Sequence, residues 1–314
     1  MKRKDFISSS VLATAGLAFP YSSMADPKSK TSLKMKICIF SKQLQWLDYK
    51  DLIPAVAGMG YDGIDLTVRP NGHVLPERVT EDLPKVVHLA NAAGIKVYMI
   101  STDIEDASSP YAETILKTTA SLGIQCYRCG GINYEPDMDL PANLDKIKAK
   151  FASLEGLNRK YGLHCDFLNH SGEVFGAALW DLWFAVRDLD PKYVGCQFDI
   201  KHATIDGPFS WPVTLKLLHN YVQTICIRDF KWIEKNKVWE IQPMPLGKGA
   251  VDFRKYCGLL KEYNIQGPVS LMCDYDLGGA QNGDRKLTIP GDEVFKAMKN
   301  DLVVLRRFFD EAGI

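Results

Sequence analysis

Short apolar runs recur along the chain, and amphipathic stretches fill the gaps between them. The runs predict strands at Lys36–Ser41, Gly63–Thr67, Ile95–Ser101, Ile124–Cys129, Leu163–Asn169, Val194–Asp199, Gln223–Asp229 and Val269–Asp274. Helical spacing places Leu83, Val86, Val87 and Ala90 on one face, as it does Ile147, Phe151, Leu154 and Leu157, and Leu302, Leu305 and Phe309. Gly60, Gly94, Gly123 and Gly162 each stand just before a strand, where a helix ends and the chain turns. Alternating β and α with one continuous apolar run per strand implies an α/β fold with a parallel sheet buried on both faces. Eight such units in about 250 residues predict a closed (β/α)8 barrel over residues 36–314. An open doubly wound sheet is the rival. It calls for a Gly-rich phosphate turn after the first strand, and Ser41-Lys42-Gln43-Leu44-Gln45 is not one.

The first 25 residues read differently from the rest. Lys2, Arg3 and Lys4 precede a mildly apolar run from Ser8 to Ser23, and Ser23-Met24-Ala25 offers small residues for cleavage. This predicts an export signal at 1–25, weakly twin-arginine-like around Arg3-Lys4-Asp5-Phe6-Ile7, then a lead-in at 26–35 and a periplasmic mature protein. Beyond it no apolar stretch is long enough for a membrane span. The 314 residues carry 38 Lys+Arg against 38 Asp+Glu, and 46% are hydrophobic. That excludes a disordered chain and removes the basic excess a dedicated nucleic-acid binder needs. A homo-oligomer stays open. The eight cysteines lie mainly in or beside the apolar runs, so they are expected to be unpaired core residues. Cys126-x-x-Cys129 has metal or redox spacing, but no second pair completes a zinc site.

Barrels of this kind carry their chemistry where strands end and the following loops begin. Those positions are densely polar here: Asp65 to His73 with Arg69 between them, then Thr102-Asp103, Arg128, Asn169-His170-Ser171-Gly172-Glu173, Asp199-Ile200-Lys201-His202, Arg228-Asp229-Phe230-Lys231-Trp232 and Asp274-Tyr275-Asp276. Imidazoles and carboxylates gathered on one rim suit a divalent cation, Zn, Mn, Co or Mg, as cofactor. By contrast His88 and His219 fall within helices, and His164 opens a strand at the end opposite the chemistry.

Gly60-Tyr61-Asp62-Gly63-Ile64-Asp65, Asp199-x-x-His202, Arg228-Asp229 and the stretch from Pro245 to Phe253 resemble the xylose isomerase-like barrel family of sugar isomerases and epimerases, also called the endonuclease IV-like fold. The strings from Asp65 to His73 and from Asn169 to Gly172 resemble an exported bacterial subgroup of it. The resemblance implies one divalent metal held by Glu, Asp, His and Glu from strands five to eight. Those positions fall here on Leu168, Asp199, Cys226 and Asp274, so two of the four ligand types are replaced. A shifted set of His170, Asp199, His202 and Asp274 is the candidate metal site.

The resemblance also implies proton abstraction beside a sugar carbonyl, which needs a base near a C–H and a cation for the oxyanion. Glu173 and Asp274 are the candidate bases, and His202 and Lys231 the candidate oxyanion partners. Arg69, His73, Arg128, Asp229 and Trp232 are candidate substrate contacts. A small carbohydrate is the expected partner, and export favours a non-phosphorylated or keto sugar. Two other readings stay open: a lyase or hydrolase of keto-sugar glycosides, and a sugar-binding barrel without catalysis.

Overall fold

The computed structural model describes residues 34–314. The export signal expected at 1–25 and most of the lead-in lie outside the described residues. Eight parallel strands close into a barrel: β1 (Ile37–Phe40), β2 (Gly63–Thr67), β3 (Lys96–Ser101), β4 (Cys126–Arg128), β5 (His164–Leu168), β6 (Val194–Asp199), β7 (Val222–Ile227) and, after an inserted hairpin, β10 (Val269–Leu271). β1 closes the ring by pairing with both β2 and β10. The expected (β/α)8 fold is therefore the fold observed. Every residue of β1, β2, β5, β6 and β10 is buried, so apolar side chains occur on both faces, broken by buried polar residues such as Asp65, Asp166, Gln197 and Ser270.

The principal outer helices are α1 (Tyr49–Met59), α2 (Val79–Ala92), α3 (Ala112–Ser121), α4 (Leu140–Tyr161), α5 (Trp180–Val186), α6 (Ile200–Asp206), α7 (Trp211–Leu218), α8 (Phe253–Glu262) and α9 (Gly291–Ala312). α4 is typical of them. The Asp139 carboxylate caps its N-terminus by accepting from Ala142 N, Ile147, Phe151 and Leu154 are buried, and Gly162 ends it at φ 70°. Among the described residues no helix is long and apolar enough to cross a membrane. All eight cysteines are unpaired, and all but Cys126 are buried.

Most strand limits shift by one or two residues from the sequence expectation, and two departures matter for the rim. β10 stops at Leu271 rather than Asp274, so Asp274 stands in the loop above the strand. After β7 the chain does not go straight to a helix. It forms an antiparallel hairpin, β8 (Asp229–Lys235) and β9 (Val238–Met244), with positive φ at both turn residues Asn236 and Lys237. Such a primed turn matches the twist of the flanking strands. Asn-Lys is a weak signal for it compared with Asn-Gly, so the hairpin went unseen.

Strand alternation sorts the side chains by height inside the barrel. His164, Asp166 and Leu168 share one face of β5, while Phe167 on the other face packs with Phe151 and Phe175 at ring distances of 5.9 and 5.0 Å. Low in the barrel, Asp166 accepts from His164 Nε2 at 3.0 Å and from Thr224 at 2.7 Å. Higher up, Phe40, Leu168, Cys226 and Met272 form a buried apolar cluster of their own. The polar rim begins above it.

Candidate active site

A cavity of about 230 Å³ opens over that apolar cluster, walled by residues from the ends of β1 to β5, β7 and β10. The volume lies below the usual range for drug-sized ligands and suits a small polar molecule. At its centre the Arg228 guanidinium, buried to 10% exposure, joins two carboxylates. Its Nε donates to Asp199 Oδ2 at 2.6 Å and its Nη1 to Asp274 Oδ2 at 2.5 Å, and Lys201 Nζ adds a third contact to Asp274 at 3.1 Å. Burial by itself would raise both carboxyls. The charge of Arg228, joined at Asp274 by Lys201, outweighs it and holds both below the ordinary carboxylate range. Asp199 has a second task. Its side chain caps α6 by accepting from His202 N at 3.1 Å, and its backbone is held by paired bonds to Asn169 at 2.7 and 3.1 Å.

His170 lines the same cavity. Its Nδ1 lies 2.9 Å from the Leu168 carbonyl, which can only accept, so the ring proton sits there and Nε2 is the acceptor. Burial and the nearby Arg228 lower its pKa, which keeps the ring neutral at pH 7. His202 packs one layer behind, with ring centroids 5.3 Å apart, and its Nδ1 is 2.8 Å from Ser171 Oγ. Burial lowers its pKa to about 3, so it too is uncharged.

Other expected site residues are placed elsewhere. Glu173 is exposed in the loop after β5, and Lys231 and Trp232 stand on β8, all three outside the cavity lining. His73 turns back under the β2 loop, between Thr67 Oγ1 at 3.3 Å and the Leu44 carbonyl at 3.2 Å, and burial lowers its pKa to about 4. Asp229 is the anchor of the loop after β9. It accepts from the amides of Phe230, Gly247, Gly249 and Val251 at 2.8 to 3.3 Å. A Cβ on Gly249 would come within 2.2 Å of Asp229 Oδ1 and 2.1 Å of the Phe230 carbonyl, so the loop needs glycine there. Asp229→Ala is expected to lower stability by on the order of 2–3 kcal/mol in urea unfolding, because the buried amides of Phe230 and Val251 lose their acceptor. An unchanged midpoint with lost ligand binding would return Asp229 to the substrate-contact role.

Arg69, Arg128 and Asp274 do line the cavity as expected. Sequence reasoning passed over Lys42, Gln43 and Gln281 and assigned no role to Arg228, Lys201 or Asp103. Lys42 lies in a 3-10 turn, Ser41–Leu44, that starts directly after β1, so its place just beyond a strand end is the signal that could have found it.

A sequence profile described as the xylose isomerase-like TIM barrel matches residues 53–288. The chain belongs to this family. Among curated proteins none matches the sequence significantly. Several solved structures share the family fold. An Escherichia coli 3-keto-D-glucoside 4-epimerase, YcjR, in its apo form, superposes with a TM-score of 0.65 at 15% identity over 87% of this chain and 100% of that one. The D-psicose 3-epimerase of Clostridium cellulolyticum with D-tagatose gives 0.66 at 14% identity, over 88% and 99%. IolI protein with a bound zinc atom gives 0.65 at 18%, over 88% and 99%.

The metal that the family resemblance implies is a poor fit to the residues of this member. Of its four ligand positions, Leu168 and Cys226 belong to the buried apolar cluster, and Asp199 and Asp274 are both engaged by Arg228. A cation bound between those carboxylates would sit against a guanidinium already occupying their charge. The shifted set of His170, Asp199, His202 and Asp274 meets the same obstacle. Among the described residues no three His, Cys, Asp or Glu side chains are placed to hold a metal ion.

Proposed function

We propose that the protein is a sugar isomerase or epimerase that moves a proton beside a carbonyl and uses Arg228 as the cation for the oxyanion. The observation that carries this reading is the position of two proton-active groups around the ring. Lys42 follows β1 and His170 follows β5, and these strands lie four apart in either direction round the eight-stranded barrel. Both line one cavity, so they approach a bound sugar from opposite walls. Neutral His170 Nε2 takes the proton from the carbon next to the carbonyl. The C–H electrons form a carbon–carbon double bond, and the carbonyl oxygen becomes an enolate oxyanion held by Arg228. Lys42, whose pKa is lowered by burial and by Arg69, returns a proton on the other face, which inverts that carbon. Return to the neighbouring carbon gives an isomer instead.

The named activities of similar structures, a 3-keto-glucoside 4-epimerase and a D-psicose 3-epimerase, support a keto sugar as the substrate class. The test is incubation of the protein with a panel of ketoses and keto-glycosides in deuterated water, followed by proton NMR. The expected result is loss of the signal from the carbon beside the carbonyl together with growth of an epimer or isomer. Release of an aglycone would favour the lyase or hydrolase. A sugar that binds without any exchange would favour the binding barrel.

A further inference from the structure

The cavity holds more positive charge than its own carboxylates use. The chain as a whole is neutral, yet Lys42, Arg69, Arg128 and Arg228 line this one space against Asp103 and Asp274. Arg228 is committed to Asp199 and Asp274. Arg69 lies 3.7 Å from Asp103, a loose contact to a carboxylate that is 54% exposed. Arg128 differs from both. It is buried to 8% exposure, and among the described residues its guanidinium has no ion-pair or hydrogen-bond partner. Its Cζ rests 4.7 Å from the centroid of the Phe40 ring, and the Cζ of Arg69 lies 5.9 Å from the same ring.

Asp65, low in the barrel, attracts Arg128 without reaching ion-pair distance, and its two oxygens already accept from Ser101 and Ser270 at 2.6 Å each. A guanidinium has five donors, and those of Arg128 are open only to what enters the cavity. Two guanidiniums held beside one aromatic ring also repel each other until an anion joins them. The charges are divided around the ring as well. Lys42, Arg69 and Arg128 come from β1, β2 and β4, whereas His170, Lys201, Arg228 and Asp274 come from β5, β6, β7 and β10.

We propose that the substrate is an anionic sugar, carrying a carboxylate or a phosphate, and that Arg128 and Arg69 grip that oxyanion while its carbonyl lies against Arg228. This rests on the sugar isomerase or epimerase reading above and sharpens it. The planar fork of arginine matches either oxyanion, so the shared chemistry is what the site selects. A neutral keto sugar, the expectation from export alone, offers Arg128 only uncharged oxygens.

The test is titration calorimetry of the full chain with D-glucuronate, a hexose monophosphate and D-glucose, at low and high salt. At least one anionic sugar is expected to bind about tenfold or more tightly than D-glucose, and more weakly at high salt. The tighter of the two anions identifies the oxyanion. Arg128→Gln, and independently the more accessible Arg69→Gln, are expected to reduce the anion-over-glucose preference about tenfold. Equal binding of D-glucose and both anions, no binding of either anion, or a preference unmoved in both variants would overturn the proposal. Binding is read without turnover, so the two readings can fail separately. Arginine-dependent anion binding without solvent exchange would uphold this proposal and overturn the epimerase. Exchange on a neutral sugar with no anion preference would do the reverse.

Discussion

Arg228→Met is expected to destabilise the protein by about 3–5 kcal/mol, the cost of stranding a buried charge after removing its partner. Asp199, fully buried, is left without a cationic partner, while Asp274, 21% exposed at the side chain, keeps only Lys201. The pH dependence separates this loss from ordinary loss of packing. In the native chain both carboxyls are held below their unfolded value, so the stability they contribute is complete above about pH 4. It drains away as pH falls through the lower folded values. In the variant, burial acts on Asp199 without the guanidinium and pushes its carboxyl up, while Lys201 still holds Asp274, so the folded state binds a proton at Asp199 that the unfolded chain has released. Urea midpoints recorded against pH should therefore fall on acidification below about pH 4 for the native chain, and rise on acidification from neutral pH toward about pH 4 for the variant. Parallel curves would mean that Arg228 serves these carboxylates no differently from a packing residue.

His170→Gln is expected to lower solvent deuterium exchange into the sugar by about 10²- to 10⁴-fold, the usual contribution of a positioned general base. Glutamine can still donate to the Leu168 carbonyl, where His170 Nδ1 now sits at 2.9 Å, but it has no basic nitrogen to receive the proton. Substrate affinity should change far less than the rate. Exchange kinetics and calorimetry on the same preparation measure the two separately. An exchange rate within a few-fold of the native one would move the base to another residue of the cavity.

Much of this fold could be read from the pattern of apolar positions, because parallel strands buried on both faces leave short, mainly apolar segments between amphipathic helices. Gly63–Thr67 and Val194–Asp199 appear in the structure at the limits the sequence predicts. The hairpin of β8 and β9 could not be read so easily. It protrudes from the barrel with β9 largely exposed, so no core contact imposes a strong apolar pattern on it. The site was legible as a set of strand ends and opaque as a set of partners. Alternation along β2, β4 and β5 carries Arg69, Arg128 and His170 to the cavity. Asp229, one residue beyond Arg228, turns instead to the amides of its own loop, and only the returning backbone of Gly247 to Val251 decides that. Glu173 and Lys231 had suitable chemistry and nearby sequence positions, but the direction of a loop and the protrusion of a hairpin take them off the cavity wall.

The bridge of Arg228 between Asp199 and Asp274 binds three positions into one heritable unit. Losing the arginine leaves the buried Asp199 without a cation, and losing either aspartate leaves a positive charge short of its partner, so each single change is penalised before another can compensate. Restoring a four-ligand metal site would require Leu168 and Cys226 to become polar within the apolar cluster and Arg228 to leave, and every single-substitution route passes through a destabilised intermediate. This barrel is therefore separated from its metal-binding relatives by a mutational barrier as well as by the present identity of its residues.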